Sequence, residues 1–136
     1  MKSAEHIVNE LMYGNDAFSK WLGIEVVKVS AGSCILKMKV RSDMLNGFKI
    51  AHGGISYSLA DSALAFASNS HGRQAVSVET SVSHTKAIKA DDILTATTSI
   101  LKEGKTFSIY QIKVSNQNND TVALFKGTVY YTGKDW

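Results

Sequence analysis

Asn46-Gly47-Phe48-Lys49-Ile50-Ala51-His52-Gly53-Gly54-Ile55, continuing through Ser56-Tyr57-Ser58-Leu59-Ala60-Asp61 to Asn69, is the stretch around which the chain is organised. From Ile55 to Ser70 every residue is apolar, small or neutral except Asp61, and the apolar positions fall on all sides of a helical wheel. That is the pattern of a helix buried all round. Asp61 is then a carboxylate in a core helix, where an ionised group is costly unless something pairs with it or uses it. The glycine pair before the helix supplies a second feature. Free backbone N–H groups point out of a helix's first turn with partial positive charge, and Gly53 and Gly54 have no side chain to hold a ligand oxygen away. Such a turn can serve as an oxyanion hole.

The spacing bears on assembly. Gly53 and Asp61 are eight residues apart, roughly 12 Å along a helix at about 1.5 Å per residue. A reacting carbonyl needs its oxygen on the donor and its carbon about 3 to 3.5 Å from the nucleophile. One helix cannot serve both. If both groups act on one carbon, Asp61 comes from a neighbouring copy, and the site implies at least a dimer. On spacing alone, His-Gly-Gly is also readable as a flexible loop, and Asp61 as a partner for a nearby hydroxyl or Lys.

The 136 residues suit one domain over 1–136, and 44% hydrophobic with 20% charged is ordinary globular composition. No apolar run reaches about 18 residues, and Met1-Lys2-Ser3-Ala4-Glu5-His6 does not open a signal peptide, so a soluble, cytoplasmic protein that binds no membrane is expected. Cys34 is alone, excluding an internal disulfide. The four His (6, 52, 71 and 84) show no ligand spacing with Cys or carboxylates, which argues against a metal. A net charge of +3 is spread over scattered Lys with no dense basic run, unlike a nucleic-acid binder. Proline is absent, so turns fall to Gly, Asn, Asp and Ser.

Along the chain, Ala4 to Met12 reads as a short helix and Asp16 to Leu22 as a second, ending at Gly23. Ile24 to Val29 and Cys34 to Val40 read as a hairpin around Ala31-Gly32-Ser33, with Leu36, Met38 and Val40 on one face. After the long helix, Val76 to Val82, Ile93 to Leu101, Phe107 to Val114 and Val122 to Tyr131 alternate as strands. Turns fall at Glu103-Gly104-Lys105 and Asn116 to Asp120. Leu94, Ala96, Thr98 and Ile100 share a face. Two strands, one long helix and four strands in a meander predict an α+β fold, a largely antiparallel sheet wrapped round one buried helix. This is the hotdog arrangement.

Met44-Leu45-Asn46-Gly47, His52-Gly53-Gly54, Ser58-Leu59-Ala60-Asp61, Asn69-Ser70, Gly104-Lys105 and Thr121-Val122-Ala123-Leu124-Phe125 carry a resemblance in their order and spacing. So do Met12-Tyr13, Asn15-Asp16-Ala17 and Leu22-Gly23-Ile24. Together they cover nearly the whole chain, which resembles the hotdog-fold acyl-CoA thioesterases of the phenylacetate-degradation (PaaI) type. Those enzymes often have a proline where this chain has Ala87 or Ile88. The resemblance implies that the Gly53 N–H binds the thioester carbonyl, with His52 and Gly54 shaping the loop. It implies that Asp61 of the facing subunit is nucleophile or general base, that Asn46 holds the water or the carbonyl, and that Ser77 stands beside the carboxylate. Asn46-Gly47 is also a good turn, His52 is also readable as a loop tie, and Ser77 as an ordinary strand serine. It further implies a homotetramer built from two dimers.

Thioester hydrolysis suits such a set, because the thiolate of coenzyme A leaves without a strong acid, and no cofactor is required. Lys105 with Thr106 after the Gly104 turn, or Lys86 and Lys89, are candidates for the coenzyme A phosphates. The expected acyl groups are phenylacetyl and its ring-hydroxylated relatives. Phe48 and Met44 are expected to roof the acyl group, over a helix face carrying Tyr57, Ala60, Ala63 and Leu64. Two rivals follow the same residues. A hotdog dehydratase or hydratase would use His52 as base and release no thiol. A non-catalytic acyl-CoA-binding module would dispense with the carboxylate, so Asp61 argues against it.

Overall fold

Strand pairing, more than strand existence, decides the shape of this molecule. The computed structural model describes residues 1–136. Its six strands form one antiparallel sheet in the order β1-β2-β4-β5-β6-β3: β1 Glu25–Ser30, β2 Ser33–Lys39, β3 Arg73–His84, β4 Ile93–Lys102, β5 Phe107–Ser115 and β6 Thr121–Asp135. Helix α2, Gly53–Asn69, lies across the concave face and packs on β2 to β6. The hotdog arrangement is present. The expected meander holds only for β4, β5 and β6. β3 pairs with β6 alone, at the edge opposite β1. Residues 85–92 then cross back past the ends of β6 and β2, held by Thr85 N–H to Val122 O (2.9 Å) and Asp91 N–H to Val40 O (2.8 Å). Eight residues are too many for a tight hairpin, and nothing in the alternation of a strand names its partner.

Inside the sheet the alternation reads as expected. Leu36, Met38, Val40, Leu94, Ala96 and Thr98 are buried against α2. Ile100 leaves the core, 41% exposed, where a bulge between Ile100 and Lys102 ends the helix's cover. At the amino end a π-helix, His6–Met12, buries Ile7 and Val8. Helix α1, Ala17–Leu22, is capped by Asp16, which accepts from the Ser19 N–H, and stops at Gly23 in the left-handed region (φ 77°). Ser19 Oγ also meets Ser62 Oγ at 2.8 Å, tying α1 to α2.

Helix α2 is not buried all round. Leu59, Ala60, Ala63, Leu64, Phe66 and Ala67 fill the core, whereas Ile55, Tyr57, Ser58, Asp61, Ser62 and Ala65 are half-buried along one side. The small, neutral residues of that side look like core in a helical wheel, but one sheet covers only part of a helix's circumference. Asp61 is accordingly a half-buried carboxylate at the core's margin. No helix of the molecule is long and apolar enough to cross a membrane.

Candidate active site

Helix α2 and strand β3 pass each other in opposite directions, and their contacts form a series of stations. At one end His84 Nδ1 stands 3.4 Å from Ser56 Oγ. Next the Tyr57 hydroxyl meets Thr80 Oγ1 at 2.6 Å. Asp61 and Ser77 then share a cleft, and at the far end Asn69 Oδ1 accepts from the Ala75 N–H at 2.8 Å. Of the expected site residues, Gly53, Asp61 and Ser77 lie along this seam.

The first station is the helix start. His52, the N-cap, has φ −57° and ψ 139°, and its Nδ1 accepts the Gly54 N–H at 2.9 Å, while its carbonyl takes the Ile55 N–H. Gly54 is thereby satisfied. The Gly53 N–H donates to nothing within the chain, and Gly53 lines an open cleft of about 390 Å³. Asn46 borders the same cleft. The turn reading of Asn46 is observed: its carbonyl and N–H close a turn with Lys49 and Ile50, its Oδ1 accepts the Phe48 N–H at 2.9 Å, and its Nδ2 makes no hydrogen bond within the chain. His52 is a cap here. With Nδ1 already accepting, its ring has no free lone pair with which to act as a base.

The second station is a cleft of about 280 Å³ lined by Asp61 and Ser77 with Leu64, Ala65, Ala75 and Val129 among its walls. Asp61 pairs with no cation and accepts no hydrogen bond within the chain, and burial raises its pKa above the usual 3.8. Gly53 does not reach this cleft, and Asp61 does not reach the first. The eight-residue separation therefore persists in three dimensions as two clefts, one holding donors and the other the carboxylate.

The cations are dispersed. Lys86 borders the Gly53 cleft, where its Nζ pairs with Asp120 at 2.7 Å and holds that carboxyl below its ordinary value. Lys105 and Thr106 lie in a separate groove with Tyr131 and Arg73, whose guanidinium stacks 3.8 Å over the Tyr131 ring. Lys89 is exposed and outside both clefts. Met44 does not roof a ligand, being 3% exposed within the core, whereas Phe48 stands 87% exposed beside Asn46. No group of three or more His, Cys, Asp or Glu side chains is placed to hold a metal.

One residue of the first cleft escaped sequence reasoning. His84 ends β3, and its ring covers Gly53 so closely that a Cβ there would lie 3.2 Å from Nε2. The alternation Thr80, Val82, His84 was legible as one face, but only the register of β3 on α2 shows that this face ends on the glycine.

Known proteins share this framework. A family model described as the thioesterase superfamily matches residues 48–123. The acyl-coenzyme A thioesterase PaaI of Escherichia coli is 41% identical over 122 residues, 90% of this chain and 87% of that one. Its solved structure superposes with a TM-score of 0.91 at 39% identity, covering 93% of this chain and 92% of that chain. A Streptococcus mutans protein bound to acetyl CoA matches with a TM-score of 0.80 at 29% identity, covering 83% and 91% of the two chains. A hypothetical thioesterase of Streptococcus pneumoniae has been solved with an Asp replaced by Ala (TM-score 0.79, 28% identity, 82% and 92% covered). It has also been solved with a Thr replaced by Ala, sixteen positions further on (TM-score 0.78, 29% identity, 82% and 91% covered). With the helix start, the carboxylate and the wrapped sheet already in place, these matches settle the family: the chain belongs to the thioesterase superfamily and is a hotdog-fold thioester hydrolase.

Proposed function

We propose that this thioester hydrolase cleaves acyl-CoA thioesters with an aryl-acetyl acyl group, such as phenylacetyl-CoA or its ring-hydroxylated derivatives, in phenylacetate catabolism, to the free acid and coenzyme A. The observation that carries the reading is the division of labour along α2: an unpartnered N–H at Gly53 and an unpartnered carboxylate at Asp61. The carbonyl oxygen takes the Gly53 N–H and the Asn46 amide borders the same cleft. Asp61 attacks the carbonyl carbon or draws a proton from the water that does, and Ser77 offers its hydroxyl beside it. In the S. pneumoniae relative the replaced Asp and Thr are sixteen positions apart, the separation of Asp61 and Ser77 here. That correspondence supports a hydroxyl–carboxylate pair. The thiolate leaves unassisted, and no metal or organic cofactor enters. The coenzyme A phosphates fall to Lys86, Lys105 and Thr106, whichever side of the shared site each reaches.

The two clefts come together only between copies. The outer edge of β3 is unpaired along twelve residues, with Val76 and Val78 more than half exposed, and such an edge is a template for another strand. Two β3 strands running antiparallel about a two-fold axis between Thr80 and Ser81 would set Ser77 opposite His84 of the second copy. Each Asp61 would then approach the other copy's Gly53. Each dimer holds two sites, and a pair of dimers completes the tetramer. Light scattering at assay concentration checks the assembly, and a fully active monomer refutes it.

The function is tested by a hydrolysis screen of aryl, short-chain and long-chain acyl-CoAs, following thiol release. Burial pushes the thiol of Cys34, the only cysteine, up to about 12, so the folded protein adds no background to a thiol reagent. Phenylacetyl-CoA or a hydroxylated relative should exceed palmitoyl-CoA in kcat/KM by at least about tenfold, roughly 1.4 kcal/mol of discrimination. Equal values discard the aromatic acyl group and leave a general acyl-CoA thioesterase. Dehydration without thiol release would favour the hydratase chemistry instead.

A further inference from the structure

Two imidazoles flank the glycine pair, and each has its Nδ1 engaged. His52 accepts the Gly54 N–H through Nδ1. His84 comes from the opposite side, as the last residue of β3, where it pairs with Ala123 of β6 and shares the face of Thr80 and Val82 while remaining exposed to the cleft. Its Nδ1 faces Ser56 Oγ at 3.4 Å. Ser56 is 1% exposed and its hydroxyl has no other partner; in the tautomer in which it donates to Nδ1, the ring proton sits on Nε2. Of the ring atoms, Nε2 is the one nearest the position a Cβ on Gly53 would take, with Cε1 and Cδ2 further off.

We propose that His84 is a second donor in the oxyanion site, its Nε2–H joining the Gly53 N–H on the thioester carbonyl oxygen as that oxygen takes up charge. The proposal rests on the reading of Gly53 as the carbonyl donor. Nε2 lies 3.2 Å from the position a Cβ on Gly53 would take. An ideal Cβ is about 2.5 Å from its own amide nitrogen, so Nε2 is at most about 5.7 Å from the Gly53 nitrogen. A single oxygen accepting at about 2.9 Å from each nitrogen fits that span. Both groups border the same open cleft, and its only cation, Lys86, is engaged by Asp120. The inference also explains why position 53 is glycine: a methyl group there would press on the ring and move the second donor.

The test compares His84→Phe, which keeps a ring of similar size without nitrogen, with His84→Gln, whose amide reaches the Nε2 position as a donor. His84→Phe should lower kcat for an acyl-CoA about 10²-fold, the cost of one oxyanion donor, while KM stays within about threefold, because the contact strengthens only as charge develops. His84→Gln should restore at least about tenfold of that loss. A His84→Phe enzyme within about threefold of wild-type kcat overturns the proposal, as does a folded His84→Gln enzyme no better than His84→Phe. If the Phe variant does not fold, His84→Ala is assayed with added imidazole, where recovery supports the donor and its absence rejects it. Asp61→Asn is run in parallel. Loss in Asp61→Asn with normal His84→Phe turnover sinks the second donor alone, and a wild-type protein that hydrolyses no acyl-CoA sinks both readings.

Discussion

Two stations of the α2–β3 seam, the helix start and the Asp61 cleft, are chemically opposite. At the helix start every polar group but a few is spoken for: His52 binds Gly54, Asn46 binds its own turn, Lys86 binds Asp120, and what remains are neutral donors facing open space. Two turns along, Asp61 is half-buried in a mostly apolar cleft, pairs with no cation and accepts no hydrogen bond within the chain. The first region can stabilise negative charge and cannot generate a nucleophile, while the second can supply a nucleophile or base and cannot stabilise an oxyanion. Hydrolysis needs both, so under the proposed function each chain would supply half of each of two sites. Leaving a carboxylate unpaired at the edge of a core costs stability, and a shared site gives that cost a use.

The strongest way to break this contrast is to neutralise the carboxylate. Asp61→Asn keeps shape and removes charge, and kcat should fall about 10³-fold with acyl-CoA binding retained. Near-normal turnover in the folded variant would leave the second region without a role. Gly53→Pro attacks the other region. It deletes the N–H at the first helical position, where proline is tolerated, and the extended ψ of 139° at His52 suits a residue before proline. A loss of about 10²- to 10³-fold in kcat is expected. Gly53→Ala is the control, since it adds the Cβ and keeps the donor. Mixing Gly53→Pro with Asp61→Asn chains after subunit exchange then asks whether the regions meet across copies. Random pairing gives one intact site in each mixed dimer, hence about a quarter of wild-type activity, and no recovery would place both groups in one chain's site.

Smaller effects sharpen the contrast. Ser77→Ala should lower kcat by about threefold to tenfold, because the hydroxyl assists a carboxylate that does the main work. Asp61→Asn should also stabilise the fold at neutral pH, by less than about 1 kcal/mol for a half-buried group. The sign follows from the raised pKa of Asp61: above 3.8 the folded state holds its proton longer than the unfolded chain does. Wild-type stability therefore falls relative to the Asn variant as pH rises from 3.8 through the raised folded value. Thermal melts of both proteins at pH 4 and pH 7 read this difference, and kcat/KM, which reports the free enzyme, should show its acid limb displaced upward from 3.8 for the same reason.

Local rules made much of this protein legible before any coordinates. The long helix, its start at a glycine pair behind His52, the alternation that turns Leu36, Met38 and Val40 inward, and the turns at Gly104 and Asn116–Asp120 each depend on residues a few positions apart. The eight-residue gap between Gly53 and Asp61 needed only the rise of a helix to place the two groups in separate clefts of one chain. Tertiary structure alone decided the rest. Whether β3 joins β4 or β6 is a competition between distant strands, and alternation carries no partner's name. The placement at the edge beside β6 is what puts His84 on Gly53 and Ser77 beside Asp61. Met44 and Phe48, four residues apart in one loop, went to opposite fates, core and solvent, because the loop's path over the sheet end, not its composition, chose which side chain found cover.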